Sequence, residues 1–286
     1  MMSNCDLHTH SYFSDGSVSP TELVNMAEEI GLSAIVLCDH NTVGGLDEFI
    51  QAGKGKNVQT IPAVEFSTDY GEIELHIIAM FVKKEHYGKI TEMMDEVQRR
   101  KEKSNIDLIE RLSKAGYGIS FEEIKAKSHT GKINRAHIAA ELLAKGYVSS
   151  VQEAFKQMLK PSLGYYIPPK RPDSFEMISF VRSIGAVPVL AHPFLNLKTE
   201  DELRAFLGKA VECGLAGMEV LYPLFSDSET AAAKSIADEF GLIPSGGSDF
   251  HGTNKPDIRL GEGSGELNVP YEYFVRLKNF ADKVVK

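Results

Sequence analysis

The chain has 286 residues, 43% of them hydrophobic and 25% charged, which is enough apolar material for a full globular core. A formal net charge of −9 disfavours a protein that coats long nucleic acids through a basic surface, although bound cations would still admit a small anionic substrate. No apolar run is long enough to cross a membrane, and Met1–Asn4 lack the pattern of a signal peptide, so we expect a cytoplasmic protein.

Strands and helices alternate through residues 1–82. A helix is predicted to begin at Pro20 behind a capping box of Ser19 and Glu22, and to end at Gly31. Apolar runs predict four strands, of which the last two form a hairpin around the turn at 69–72. These strands are Cys5–His8, Ala34–Cys38, Ile61–Val64 and Ile73–Val82.

The pattern becomes almost wholly helical from Glu85 to about Lys160, with helices predicted at 90–115, 121–127, 136–145 and 151–159. Pro161 and Pro168-Pro169 mark the return to alternation. We therefore predict a barrel domain made of residues 1–84 and 166–286. Residues 85–165 form a helical insertion, or lid subdomain.

Strands at 187–191, 218–221 and 243–246 then alternate with helices at 175–183, 201–213, 228–240 and from about Tyr271. Polar residues follow the carboxyl ends of many different strands. Barrel enzymes assemble their sites there, whereas an open sheet concentrates them at one switch point. The sequence therefore predicts an α/β fold with a barrel.

Nine residues of the types that bind metals stand at six of these strand ends. His8 and His10 alternate on a strand, so both imidazoles project to one side, and the turn at Gly16 returns Asp15 toward them. Each residue has a simpler interpretation when it is taken alone: His76 as a core histidine, for example, or Asp39 beside His40 as a helix cap. The whole set favours a metal cluster, and its members are His8, His10, Asp15, His40, Glu65, His76, His192, Asp249 and His251.

Nitrogen and oxygen ligands without thiolate suit Mn²⁺, Zn²⁺ or Fe²⁺, and two or three such ions would make hydroxide available for hydrolysis. The three cysteines contain no CxxC pair, and Cys5 and Cys38 are interpreted as buried apolar residues. His86 and His129 are predicted to be surface residues. His137, beside Arg135 in the insertion, is a candidate for substrate contact.

These motifs together resemble the PHP (polymerase and histidinol phosphatase) family. The resemblance rests on residues 6–10, 14–16, 39–40, 65, 76, 191–193 and 247–252, which span nearly the whole chain. It implies a distorted, TIM-like (β/α)7 barrel with a trinuclear metal centre. It also implies three ligand sets: His8, His10, Glu65 and Asp249; Glu65, His76 and His192; and Asp15, His40 and His251.

The insertion resembles the branch of the family that acts on nucleoside 3′,5′-bisphosphates. The similar stretches are 135–139, 166–169 and 247–252, and they imply that Arg135 and His137 contact a phosphate. Lys170 and Arg171 have either the same role or that of a solvated basic pair. Two residues depart from the family pattern: Ala136 stands where the family usually has proline, and Cys38 where it usually has threonine or serine. These departures leave the identity of the substrate undecided.

We therefore expect a phosphoesterase acting on a small nucleotide such as 3′-phosphoadenosine 5′-phosphate, through a hydroxide that bridges two or three divalent ions. Asp249, His192 and His251 are the candidate catalytic residues, with either histidine assisting the leaving group. The alternatives are a histidinol-phosphate phosphatase, a cyclic phosphodiesterase, a 5′-to-3′ exoribonuclease on short RNA, and an inactive regulatory metal-binding module. No membrane and no stable complex with long nucleic acid is expected.

Overall fold

The computed structural model describes residues 4–127 and 133–284, so His129 lies outside the described residues. These residues form two compact units. The barrel unit comprises the chain up to Thr91 and from Pro172 onward, and the helical unit comprises Glu92–Arg171.

Eight strands of the barrel unit form one sheet among the described residues, in the order β7-β6-β5-β4-β3-β2-β1-β8. Pairing is antiparallel for β3 with β4, β4 with β5 and β1 with β8, and parallel elsewhere. The strands are β1 (Asn4–Asp6), β2 (Ala34–Leu37), β3 (Gln59–Tyr70), β4 (Ile73–Met80), β5 (Val187–Leu190), β6 (Gly217–Leu221), β7 (Ile243–Gly246) and β8 (Val269–Pro270).

The chain that follows β1 pairs with the chain that follows β7 and so nearly closes the sheet. The Leu7 N–H donates to the Gly246 carbonyl at 3.2 Å, and the His10 N–H donates to the Phe250 carbonyl at 3.0 Å. Inside lies an apolar core that includes Val36, Ile78 and Val189. The predicted α/β barrel is confirmed, with β8 as a short strand that the sequence analysis missed.

Asp6 fastens this closure. Its buried carboxylate accepts hydrogen bonds from the Ser248 N–H at 2.9 Å, the Ser248 hydroxyl at 2.6 Å and the Gly261 N–H at 2.8 Å. Burial raises the pKa of Asp6 above its ordinary value, although these donors oppose the shift. Asp6 is therefore a structural carboxylate in the described structure, although it opens the motif that carries two histidines predicted to bind metal.

Replacing Asp6 with asparagine should lower the free energy of unfolding by about 3 kcal/mol, because an amide nitrogen would face N–H and O–H donors. Urea unfolding measures this change. The folded variant should keep the metal content of the wild type. A variant with unchanged stability would contradict the structural role.

The helices are α1 (Pro20–Glu29), α2 (Leu46–Ala52), α3 (Tyr87–Lys114), α4 (Phe121–Lys127), α5 (Arg135–Ala144), α6 (Val151–Gln157), α7 (Ser174–Ser183), α8 (Glu200–Glu212), α9 (Asp227–Glu239) and α10 (Tyr271–Val284). The predicted capping box of Ser19 and Glu22 is confirmed, and Gly31 follows α1 with a φ of 75°. In the described parts of the chain, no helix has both the length and the apolar character that crossing a membrane requires.

The helical unit has an apolar core of its own. Its buried side chains include Leu108, Leu112, Ile138 and Leu142. The helices predicted for this part of the chain are confirmed, with ends that shift by a few residues. Because the helical unit packs around its own core, its surface can carry polar side chains independently of the packing inside the barrel.

Candidate metal centre

All nine predicted ligand-type side chains converge in one cluster of the barrel unit. Each lies within 4.0 Å of another member of the set, through contacts between imidazole nitrogens and carboxylate oxygens. Seven of them follow the carboxyl ends of β1, β2, β5 and β7, which meet at one end of the barrel. The predicted strand-end position is wrong for Glu65 and His76, which lie within β3 and the antiparallel β4.

The first donor set surrounds the space between His8 and His10. Their Nε2 atoms are 3.0 Å apart, and Glu65 Oε2 lies 3.3 Å from each. Asp249 Oδ1 lies 3.6 Å from the Nε2 of His8 and 3.2 Å from that of His10. Two imidazole nitrogens that face each other can share one proton at most, so this arrangement suits a cation held by four donor atoms.

A second set uses the other oxygen of Glu65. Its Oε1 lies 2.8 Å from His76 Nδ1 and 3.1 Å from His192 Nε2. Glu65 Oε2 also lies 3.0 Å from His40 Nδ1, so the two oxygens of this fully buried carboxylate face different histidines. A carboxylate in this position could hold cations on both sides.

Asp15 gathers the third set. Its Oδ1 lies 3.1 Å from His251 Nε2, and its Oδ2 lies 3.8 Å from His40 Nε2. His10 Nδ1 also lies 4.0 Å from Oδ1, so His10 presents one ring nitrogen to the first set and the other to the third. Gly16 permits this turn, since a Cβ there would come within 2.7 Å of the His10 carbonyl oxygen.

Unpartnered buried atoms support a metal fit. Among the described residues, His10 Nδ1, His40 Nδ1 and Glu65 Oε2 are buried without a hydrogen-bond partner, although His40 Nδ1 lies 3.0 Å from Glu65 Oε2. Buried polar atoms are normally satisfied, and an unpaired one is costly. Divalent cations would satisfy all three atoms, so the residues fit the metal centre.

The charges of the cluster shift the pKa values of its members. Burial raises the pKa of Glu65, but neighbouring histidines, His40 first, hold it well below its ordinary value. Burial lowers the pKa of His76, but the Glu65 carboxylate outweighs this and raises it to about 9. The pKa of His40 is lowered, mainly by burial. Ionised carboxylates amid imidazoles are prepared for cations, and protons must leave some of the imidazoles as cations bind.

Strained backbone helps to aim two of these residues. His192 has a φ of 25° and Asp249 a φ of 55°, a region that residues other than glycine seldom occupy. Gly247 allows the chain before Asp249 to pass close to β1, since a Cβ there would lie 2.4 Å from the His8 backbone nitrogen. Such strain is typical of functional sites.

Glu219, on β6, is a site residue that the sequence analysis missed. Its Oε1 lies 2.9 Å from His8 Nδ1, and its Oε2 accepts the His192 N–H at 2.6 Å. The carboxylate is fully buried. Because Glu219 accepts a hydrogen bond from His8 Nδ1, the proton is held on Nδ1 and the lone pair of His8 Nε2 is free for a cation. The sequence signal that could have identified Glu219 is its position as a single acidic residue between the apolar Met218 and Val220.

Tyr222 and Lys255 were also missed. The Tyr222 hydroxyl and Lys255 Nζ both donate to Asp249 Oδ2 at 2.7 Å, which leaves Oδ1 for the cluster. His251 Nδ1 lies 2.8 Å from the Asp249 carbonyl oxygen, which favours a proton on Nδ1 and a free Nε2. Beside Asp249 opens a pocket of about 250 Å³, lined by Tyr222, Pro223, Leu224, Ser248, Asp249, Lys255, Asp257 and Ile258.

Asp39 fastens a loop rather than capping a helix. Its carboxylate accepts the Ser11 N–H at 2.8 Å and the hydroxyls of Ser11 and Ser14, each at 2.6 Å. Cys5 and Cys38 are buried and free, as predicted. The Cys38 sulfur lies within 4.8 Å of donor atoms of both His8 and His10, a proximity that the sequence analysis did not anticipate.

The four predicted substrate-binding residues lie in the helical unit. The Arg135 guanidinium carbon lies 4.4 Å from the ring centre of Tyr166. His137 Nδ1 accepts the Asn134 N–H at 3.2 Å as part of the cap of α5. Lys170 is exposed and Arg171 is partly buried. The remaining described histidine, His86, is partly exposed beside Glu85.

Comparison with known proteins gives the family. The PHP domain matches residues 6–167. A 5′-3′ exoribonuclease of Haemophilus influenzae is 32% identical over 251 residues, which cover 88% of this chain and 91% of the relative. A 3′,5′-nucleoside bisphosphate phosphatase of Chromobacterium violaceum is 26% identical over 251 residues, covering 87% of this chain and 88% of the relative.

A solved structure from Bifidobacterium adolescentis, assigned as a metal-dependent phosphoesterase, has a similar fold. Its TM-score is 0.78 at 27% identity, and the match covers 97% of this chain and 96% of that one. Sequence, fold and the His, Asp and Glu cluster thus agree. The chain belongs to the PHP domain family and is a metal-dependent phosphoesterase.

Proposed function

We propose that the enzyme hydrolyses a phosphate ester of a small nucleotide, with about two to three divalent cations held by the nine clustered side chains. The observation that carries this proposal is Glu65, whose two oxygens face different histidines of the cluster. The remaining ligands would be His8, His10 and Asp249; His76 and His192; and Asp15, His40 and His251. When bound, such cations neutralise phosphate oxygens and lower the pKa of a coordinated water.

The residues around the ligands hold protons at defined atoms. Glu219 favours a proton on His8 Nδ1, and the Asp249 carbonyl favours one on His251 Nδ1. A histidine that coordinates through Nε2 has no proton to deliver from that atom. The geometry therefore favours His251 as a ligand over a role at the leaving group. His192 Nε2 lies 3.1 Å from the Glu65 carboxylate, which favours the same role for His192. Lys255 and Tyr222 carry the protons nearest to Asp249.

For the substrate we propose a nucleoside 3′,5′-bisphosphate such as 3′-phosphoadenosine 5′-phosphate. The name of the Chromobacterium relative supports this choice. The second candidate is 5′-to-3′ hydrolysis of short RNA, because the relative with 32% identity is an exoribonuclease. The two substrates are chemically related, since the first nucleotide of a 5′-phosphorylated RNA is a 3′,5′-bisphosphate with one further ester. Release of phosphate in one case and of a shortened RNA in the other would break the same 3′ P–O bond.

Turnover of a substrate panel tests the proposal. The purified protein is assayed with Mn²⁺, Zn²⁺ or Fe²⁺ on a bisphosphate, a monophosphate, histidinol phosphate, a cyclic phosphate and a 5′-phosphorylated oligoribonucleotide. We expect the bisphosphate or the oligoribonucleotide to give the highest kcat/KM. Preference for histidinol phosphate would overturn the nucleotide assignment, and no turnover of any ester would favour a regulatory module.

Arg135→Ala tests the role proposed for the helical unit. If the guanidinium binds the second phosphate, KM for a bisphosphate should rise about tenfold or more, and KM for a monophosphate should change little. Steady-state kinetics on both substrates measures this difference. Equal effects would show that Arg135 acts only through its packing on Tyr166 and Phe155.

A further inference from the structure

Two exposed aromatic residues stand between two members of the metal cluster. Tyr12 and Phe13 follow His10 and precede Asp15 along the chain. Their rings are stacked, with centres 4.9 Å apart and planes 26° apart. Tyr12 is 49% exposed and Phe13 is 39% exposed. The rings thus lie on the short loop that joins two members of the cluster.

Hydrogen bonds fix that loop. The N–H groups of Ser14 and Gly16 both donate to the Ser11 carbonyl, at 3.2 and 2.9 Å. The Ser17 N–H donates to the His251 carbonyl at 3.1 Å, and Asp39 accepts from Ser11 and Ser14. A backbone held in this way restricts where the two rings can lie, which lowers the ordering cost for a ligand that stacks on them.

The surroundings of the two rings differ. Phe13 packs against the chain that follows His40, since a Cβ on Gly44 or Gly45 would lie 2.8 or 3.0 Å from its ring. Packing against these glycines thus explains why part of the Phe13 ring is buried. Tyr12 is the more exposed ring, and desolvation followed by the charges of Glu48 and Glu22 raises its pKa. An acidic border disfavours phosphate and admits a neutral, planar group.

We propose that Tyr12 and Phe13 form a stacking platform for an unpaired base of the substrate, the base that follows the scissile phosphate. The platform lies on the loop that joins His10 to Asp15, and its Phe13 ring packs against the loop after His40, so both of these loops also carry members of the third donor set. A phosphate at the cluster would therefore have its next nucleotide near the rings. This inference rests on the second candidate of the proposed function, 5′-to-3′ hydrolysis of short single-stranded RNA.

Kinetics with paired substrates measures the contribution of stacking. The two substrates are 5′-phosphorylated dinucleotides, with either adenine or no base at the second position. Stacking of one base on aromatic rings changes affinity about 5- to 100-fold. The wild type should favour the complete dinucleotide by such a factor in kcat/KM. The double variant Tyr12→Leu with Phe13→Leu should lose this preference and keep its turnover of a nucleoside bisphosphate.

A binding measurement separates this proposal from the proposed function. A hydrolysis-resistant dinucleotide with 2-aminopurine at the second position is titrated with the Zn²⁺-loaded protein. Fluorescence quenching is expected with the wild type and with Tyr12→Phe, and not with the double leucine variant. Ile30→Ala, at another exposed apolar residue of the barrel unit, is the matched control and should behave as the wild type.

The outcomes are distinct. Quenching without hydrolysis of any nucleotide would keep the platform and overturn the proposed function. Hydrolysis with equal rates for the two dinucleotides, or no quenching with the wild type, would overturn the platform. If the double variant lost bisphosphate turnover as well, Tyr12 and Phe13 would be structural supports of the loop, and the proposal would fall.

Discussion

Glu65→Gln is expected to lower kcat/KM at least about a thousandfold, because it removes the carboxylate whose two oxygens face the imidazole nitrogens of the first and second donor sets. A glutamine oxygen can still approach one cation, but the amide nitrogen would meet the other with N–H groups. Metal content should fall together with activity. Elemental analysis and steady-state kinetics of the same preparation measure both.

Glu72→Gln is the matched control for this substitution. Glu72 is exposed in the turn between β3 and β4, and its replacement by glutamine removes the same charge as Glu65→Gln. It should keep the activity and metal content of the wild type. If Glu65→Gln retained normal turnover, Glu65 would not be a bridging ligand, and the assignment of the first two sets would fail.

Glu219→Gln should lower metal affinity or activity about 10- to 100-fold. The native carboxylate accepts from two groups, His8 Nδ1 and the His192 N–H, so it sets both the tautomer of one histidine and the backbone position of the other. Glutamine has one acceptor oxygen and leaves one of these donors unpaired in a buried place. Metal titration of the chelator-treated protein gives the affinity directly.

A merely structural role for Glu219 would give a different result. Glu219→Gln would then lower the urea midpoint and leave the metal affinity of the folded protein unchanged. Glu212→Gln, at an exposed position near the end of α8, controls for loss of one charge and should match the wild type in both measurements. Unchanged affinity in Glu219→Gln would remove Glu219 from the positioning of His8.

The sequence predicted the convergence of the ligand-type residues because the signal for each is local. His8, His40 and His192 each follow an apolar strand, and strand ends of a parallel barrel meet at one face. Glu65 was visible as a lone acid in an apolar strand. The convergence of these side chains depends on the two-residue period of the strands and on the barrel fold. Both can be inferred from the pattern of apolar residues.

The residues that support the ligands could not be assigned in this way. Glu219 carries the same signal as Glu65, but its partner His8 lies 211 residues away along the chain. Lys255 stands in a loop without any periodic pattern, and only the fold brings its Nζ to Asp249. β8 is two residues long and contains Pro270, so it has no alternation to detect. The roles of Arg135 and His137 stay predictions.

The metal content of the purified protein tests the central claim most directly. Elemental analysis of the wild type should find about two to three divalent ions per chain, and Glu65→Gln should hold fewer. Removal of these ions by a chelator should abolish hydrolysis, and their return should restore it. A protein that is fully active without bound metal, or one in which Glu65→Gln binds as many ions as the wild type, would contradict the account.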